Sequence, residues 1–161
     1  MPATRSSRVP AQLPGYREII EAFAQYVAEE RPKIESPSEA AELMRPILSG
    51  KLQEEFWVLL LDTKHRLIQP VQVSIGLLDR SQVHAREVFR TAISANCSRV
   101  ILTHNHPSGD PTPSAQDIAC TRNLVESGKI IGIEVLDHVV LGERTVSRPK
   151  YWISFREENL L

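Results

Sequence analysis

Cysteine is scarce: Cys97 and Cys120 are the only two in 161 residues. That rules out a disulfide framework and agrees with a reducing compartment. Charge of one sign is also missing. Nineteen Lys+Arg against 20 Asp+Glu leave −1, so nothing in the composition supports strong nonspecific binding to nucleic acid. No apolar run reaches about 18 residues, which excludes an obvious membrane-spanning helix. The opening MPATRSSRVP lacks the apolar stretch of a secretory leader, and no segment repeats. What is present is 42% hydrophobic residues, enough for the core of one compact domain at this length. The expectation is a soluble cytoplasmic globular protein, monomer or homodimer, with no membrane contact.

Punctuation divides the chain. Pro2, Pro10, Pro14 and Gly15 predict a flexible tail over residues 1–15. Tyr16, Ile19, Ile20, Phe23 and Val27 share one helical face, which predicts a helix over Tyr16–Glu30, followed by a linker to residue 35. Glu29 and Glu30 oppose its dipole, so packing must hold it. Ser36-Pro37-Ser38-Glu39 reads as a capping box with proline at the first helical position. Pro46 should kink or shorten that second helix, and Gly50 should end it.

Phe56–Leu61 is apolar throughout and reads as a strand buried on both faces. A turn over 62–65 leads to a strand over Leu67–Ile75, where Pro70 demands an edge or a bulge. Ala85, Val88, Phe89 and Ala92 predict a helix over 84–95, and Arg99–Thr103 a short strand. Three prolines and a glycine make His106–Pro113 a rigid loop. A helix from Ser114 to about Ser127 should stop at Gly128. Strands are expected over Ile130–Leu136, His138–Leu141 and Tyr151–Phe155. Alternating helices and strands give a mixed α/β domain with one central sheet.

The window THNHPSGDPTPSAQD, residues 103–117, stands apart. His104 and His106 sit two apart at a strand end, so both imidazoles point the same way. Two such nitrogens can bind one ion at about 2.0–2.1 Å. Asp117, in the first turn of the next helix, can supply a third ligand. Two His and one carboxylate leave a coordination position open for water, the mark of a catalytic zinc site. Ser114-x-x-Asp117 also reads as a capping box that needs no metal. Chance appearance of the whole pattern in a chain this long is on the order of one in a thousand. His65, His84 and His138 read as ordinary core or surface residues, and Cys97 and Cys120 as small, partly buried ones. Trp57 and Trp152 read as sheet aromatics, and Arg86 with Glu87 as a surface pair. In Asp137-His138, an acid beside a histidine could back a ligand.

This window resembles the JAMM (MPN-type) metalloprotease motif and, more narrowly, the bacterial RadC family. The flanks EEFWVLLLDTKHRLI, HAREVF and GIEVLDHVVLG are similar as well, so the resemblance covers about residues 36–161. It implies an MPN domain, α/β with a central mixed sheet flanked by helices in the three-layer manner of cytidine deaminases. It implies zinc held by His104, His106 and Asp117, with Ser114 holding water or stabilising an oxyanion. It also implies a general-base Glu at the entry to the first buried strand. Glu54 and Glu55 both stand there; the family's strand pattern favours Glu54, while alternation alone leaves the choice open. Departures are His84-Ala85-Arg86-Glu87 for His-Pro-Arg-Glu, Gly76-Leu77-Leu78 for Gly-Thr-Leu, and a longer loop over Gly142–Lys150. About fifty residues precede the domain without a Gly-rich hairpin, which resembles the family's short stand-alone form.

Two functions follow. One is a zinc-dependent hydrolase of peptide or isopeptide bonds, with Glu54 as general base. The other is an accessory module tied to DNA repair or mobile elements, its metal site structural or vestigial; the charge of −1 argues against strong DNA binding by this chain alone. Non-haem iron oxygenases share the ligand types but use all-β barrels. A zinc deaminase needs His-x-Glu and Pro-Cys-x-x-Cys, and both are missing. A peptide or protein substrate could add a strand to an open sheet edge, with Pro70 disfavouring one edge.

Overall fold

The computed structural model describes residues 31–76 and 83–161. The tail over 1–15, the helix over Tyr16–Glu30 and the departure at Leu77-Leu78 lie outside them. Among the described residues are α1 (Pro37–Leu48), β1 (Glu55–Leu61), β2 (Leu67–Ile75), α2 (Ala85–Ser94), β3 (Arg99–Asn105), α3 (Ala115–Ile131), β4 (Glu134–Leu141) and β5 (Trp152–Ser154). The strands form one mixed sheet in the order β2-β1-β3-β4-β5. β3 and β4 run parallel, and the other neighbouring pairs are antiparallel.

The unbroken apolar run of β1 has a direct cause: helices cover both faces of the sheet. Phe56, Val58 and Leu60 pack with Val88, Phe89 and Ala92 of α2 and Leu124 of α3. Leu59 and Leu61, one step out of phase, pack with Ala40, Ala41, Met44 and Leu48 of α1. The result is three layers, α1, sheet, then α2 with α3. β2 lies at the sheet's edge, where Pro70 is tolerated. Both halves of the capping box at Ser36 and Glu39 form, and α1 ends two residues after Pro46. Lys33 bridges to Arg66, and the Ile34 N–H donates to the His65 carbonyl.

The last strand is trimmed to Trp152–Ser154 from the expected Tyr151–Phe155, and three larger differences from the sequence reading concern β3, α3 and β4. β3 runs to Asn105 rather than Thr103, so His104 is a strand residue. α3 passes through Gly128 and ends at Ile131. Gly128 is a packing glycine: a Cβ there would meet the Ile133 carbonyl oxygen at 2.4 Å and Phe89 Cζ at 3.1 Å. The stop is Gly132, whose φ of 83° is left-handed and whose N–H donates to the Gly128 carbonyl. Ile130 and Ile131 therefore belong to the helix. Asp137 does not split β4, because a bulge between the Val100–Val135 and Ile101–Asp137 pairs absorbs Leu136. The Asp137 carboxylate accepts from Ser154 Oγ and from the His138 and Arg156 N–H groups, tying the chain end to the strand. Among the described residues no helix is long and apolar enough to cross a membrane.

Candidate metal centre

β3, α3 and β4 form a strand–helix–parallel-strand crossover, and open α/β sheets bind ligands at the carboxyl ends of such strands. β3 carries His104 there, one residue before its end at Asn105, and His106 follows one step past the strand, its N–H donating to the Leu141 carbonyl. The intervening loop is pinned from outside. Arg148 Nη1 and the Glu143 N–H both donate to the Gly109 carbonyl, so the long Gly142–Lys150 loop braces the histidine loop. α3 then starts at Ser114 and brings Asp117 back to the histidines.

Three side chains that could ligate a metal converge. His104 Nε2 and His106 Nε2 lie 3.0 Å apart. Asp117 Oδ1 is 3.3 Å from His104 Nε2, and Oδ2 is 3.2 Å from His106 Nε2. Donors 2.0–2.1 Å from a tetrahedral centre lie about 3.3 Å from one another, so the spacing suits such an ion. His106 Nδ1 is 2.7 Å from the Asp110 carbonyl oxygen, which can only accept; in the neutral ring the proton therefore sits on Nδ1 and Nε2 presents a lone pair. His104 and Asp117 are buried, and a buried group of facing acceptors calls for a cation. Among the described residues these are the only His, Cys, Asp or Glu side chains so grouped.

The capping box and the ligand set are the same atoms in two uses. Ser114 Oγ accepts from the Asp117 N–H at 3.1 Å, and Asp117 Oδ2 accepts from the Ser114 N–H at 2.7 Å. That cap orients the carboxylate toward the histidines. Burial alone would raise the Asp117 pKa, but a proton shared with His104 or His106, together with the Ser114 N–H, outweighs it and holds the carboxyl far below its usual range. Burial pulls His104 down. It also opposes a proton on His106, yet Asp117 and the Asp110 carbonyl prevail and raise that group.

The sheet register separates the two glutamates. Phe56 pairs with His104 across β1 and β3, so Glu54, two residues earlier, shares that face, and the same register sets it opposite His106. Glu54 lines a cleft of about 270 Å³ together with His106, Ser114 and Asp117, and its charge acts on both histidines. Glu55 points the other way, accepting from Trp57 Nε1 and Gln72 Nε2 and pairing with Lys51. Ser114 is exposed at the rim.

His138, read from sequence as an ordinary histidine, is buried with its Nε2 2.7 Å from His104 Nδ1. Thr121 Oγ1 lies 2.6 Å from His138 Nδ1. Thr121 had a signal, standing four residues after Asp117 on the same helical face. His138 needed the β3–β4 pairing, which sets it beside Leu102. Asp137, its sequence neighbour, faces away. Cys97 is a core residue. Cys120 is outside the ligand group, and burial, with the Asp117 charge, pushes its thiol up to about 11.

Comparison with known proteins identifies the family. The family model described as a RadC-like JAB domain matches residues 34–160. A UPF0758 protein of Methanosarcina mazei is 44% identical over 133 residues, covering 83% of this chain and 58% of its own length. One of Syntrophomonas wolfei is 51% identical over 114 residues, covering 68% of this chain and 48% of the relative. The chain thus spans about half the length of the curated relatives it matches.

Proposed function

The chain belongs to the RadC family, with a JAB/MPN-type α/β domain, and from that premise we propose a zinc-dependent hydrolase of amide bonds, peptide or isopeptide. One observation carries the reading. The His104 and His106 Nε2 atoms and the Asp117 carboxylate converge at 3.0–3.3 Å, on the face that also presents Glu54 and Ser114. His104, His106 and Asp117 would hold the ion. A bound zinc ion supplies Lewis acidity, which lowers the pKa of water toward neutrality and polarises a carbonyl.

The chain's own groups do the rest. Glu54, on the open side of the cleft, takes a proton from the attacking water and returns it to the leaving amine. Ser114 Oγ already accepts from the Asp117 N–H, so its own O–H is left to donate to the oxygen on which charge develops. Both groups sit on backbone held by other bonds: the Glu54 carbonyl accepts from Gly76, and Ser114 caps α3.

The test begins with elemental mass spectrometry of the purified chain and of His104→Ala/His106→Ala. About one zinc per wild-type chain and almost none in the variant is expected. Fluorogenic peptide and isopeptide libraries follow, with Glu54→Gln as control. That variant should keep its zinc and lose about 10²–10⁴ in kcat. A chain that takes up no zinc sinks the proposal. Zinc without cleavage of any library member would leave a metal-holding binding module instead.

A further inference from the structure

Behind the ligand group lies a buried polar row whose protons can be placed from distances alone. Thr121 Oγ1 is 2.7 Å from the Asp117 carbonyl oxygen and 2.6 Å from His138 Nδ1; His138 Nε2 is 2.7 Å from His104 Nδ1. Thr121, His138 and His104 are all buried, so water does not enter the count.

A threonine hydroxyl has one proton, and a carbonyl oxygen can only accept. The Thr121 proton therefore goes to Asp117. Its oxygen then faces His138 as acceptor, so His138 carries its N–H on Nδ1. A neutral imidazole has one N–H, which leaves His138 Nε2 bare and accepting from His104 Nδ1–H. His104 Nε2 is bare in turn, and it is the atom that faces Asp117 and His106. Packing holds the order in place: the His138 ring stacks on Phe155 at 4.6 Å between centroids and meets the edge of Phe56 at 5.5 Å.

We propose that Thr121 and His138 are positioning residues, a hydrogen-bonded chain that fixes the tautomer and orientation of His104 so that its Nε2 lone pair is offered to a divalent cation. The proposal rests on the metal-centre reading above. It ties one helix turn, Asp117 to Thr121, to two of the three ligand groups at once: the same turn that supplies the carboxylate sets the proton on the His104 imidazole. Without the Thr121 oxygen, His138 Nδ1–H has no partner. The other tautomer becomes favoured, with the proton on His138 Nε2 donated to His104 Nδ1. That places the His104 proton on Nε2, inside the ligand group.

The test uses the full chain. Nitrogen-15 histidine spectra of metal-free wild type should show both His104 and His138 protonated on Nδ1. Zinc affinity is then measured by competition with a chromophoric chelator. Thr121→Val should bind about 10–100-fold more weakly, the usual effect of losing such a supporting group, and Thr121→Ser should recover wild-type affinity. Tight zinc binding by a folded Thr121→Val, or a wild-type spectrum with His104 protonated on Nε2, overturns the proposal. If Thr121→Val does not fold, the wild-type spectrum decides. A wild type that takes up no zinc overturns the metal-centre reading itself and with it this role; a wrong tautomer beside tight zinc binding overturns this proposal alone.

Discussion

Ser114 and Asp117 share a capping box and a candidate metal site, and two substitutions should pull those roles apart. Ser114→Ala removes the acceptor for the Asp117 N–H at the start of α3. Loss of an N-cap side chain costs about 1 kcal/mol, which at this chain length lowers Tm by about 2–4 °C. The carboxylate keeps its second anchor, the Ser114 N–H at 2.7 Å, so zinc should still bind. Asp117→Asn does the reverse. Its amide oxygen can go on accepting from the Ser114 N–H, so the helix start survives. Its NH2, however, then takes the Oδ1 position facing His104, and the negative charge facing both histidines is lost. Zinc at a hundred times its Kd stabilises the folded state by about 2.7 kcal/mol, a rise of about 5–10 °C in Tm for a chain of this size. Thermal melts with and without zinc should therefore show the full rise in Ser114→Ala, from a lower baseline, and little or none in Asp117→Asn. A full zinc-dependent rise in Asp117→Asn, or its loss in Ser114→Ala, refutes the assignment.

Two further outcomes test the frame around the site. Burial works against the Glu55 carboxylate, but Trp57, Lys51 and Gln72 outweigh it, so its pKa falls below the ordinary 4.5. A depressed folded-state value means its contribution is complete above about pH 4.5 and is lost as the pH falls through the lower folded value. Glu55→Gln should therefore lose about 1–3 kcal/mol at neutral pH, with the gap to wild type closing in urea titrations toward pH 3; a gap that persists there would contradict the sign. Gly128→Ala would gain about 1 kcal/mol in an exposed helix. Here its Cβ meets the Ile133 carbonyl at 2.4 Å, so urea unfolding should show a net loss of about 1–3 kcal/mol. Stabilisation would mean that the α2–α3 contact is looser than its geometry.

Local order was largely legible. The capping box at Ser36, the apolar run of β1, the edge position implied by Pro70 and the His-x-His turn before a capped helix all act over a few residues, and short-range sterics and hydrogen bonds decide such features. The errors came where a distant partner overrode a local signal. Gly128 looks like a helix stop until Phe89 is seen to need its missing side chain. Asp137 looks like a strand break until Ser154 and Arg156 satisfy its carboxylate.

The site divides the same way. By itself the sequence determined the three candidate ligand types and their spacing, because a strand end and the first turn of the following helix are close along the chain. Only the tertiary structure set Glu54, and not Glu55, on the histidines' face, since period-two alternation defines two faces but not which one meets the histidines; the pairing of Phe56 with His104 does that. Only the tertiary structure, too, brought His138 against His104 across 34 residues, because strand register is a property of the assembled sheet and is not written in either strand alone.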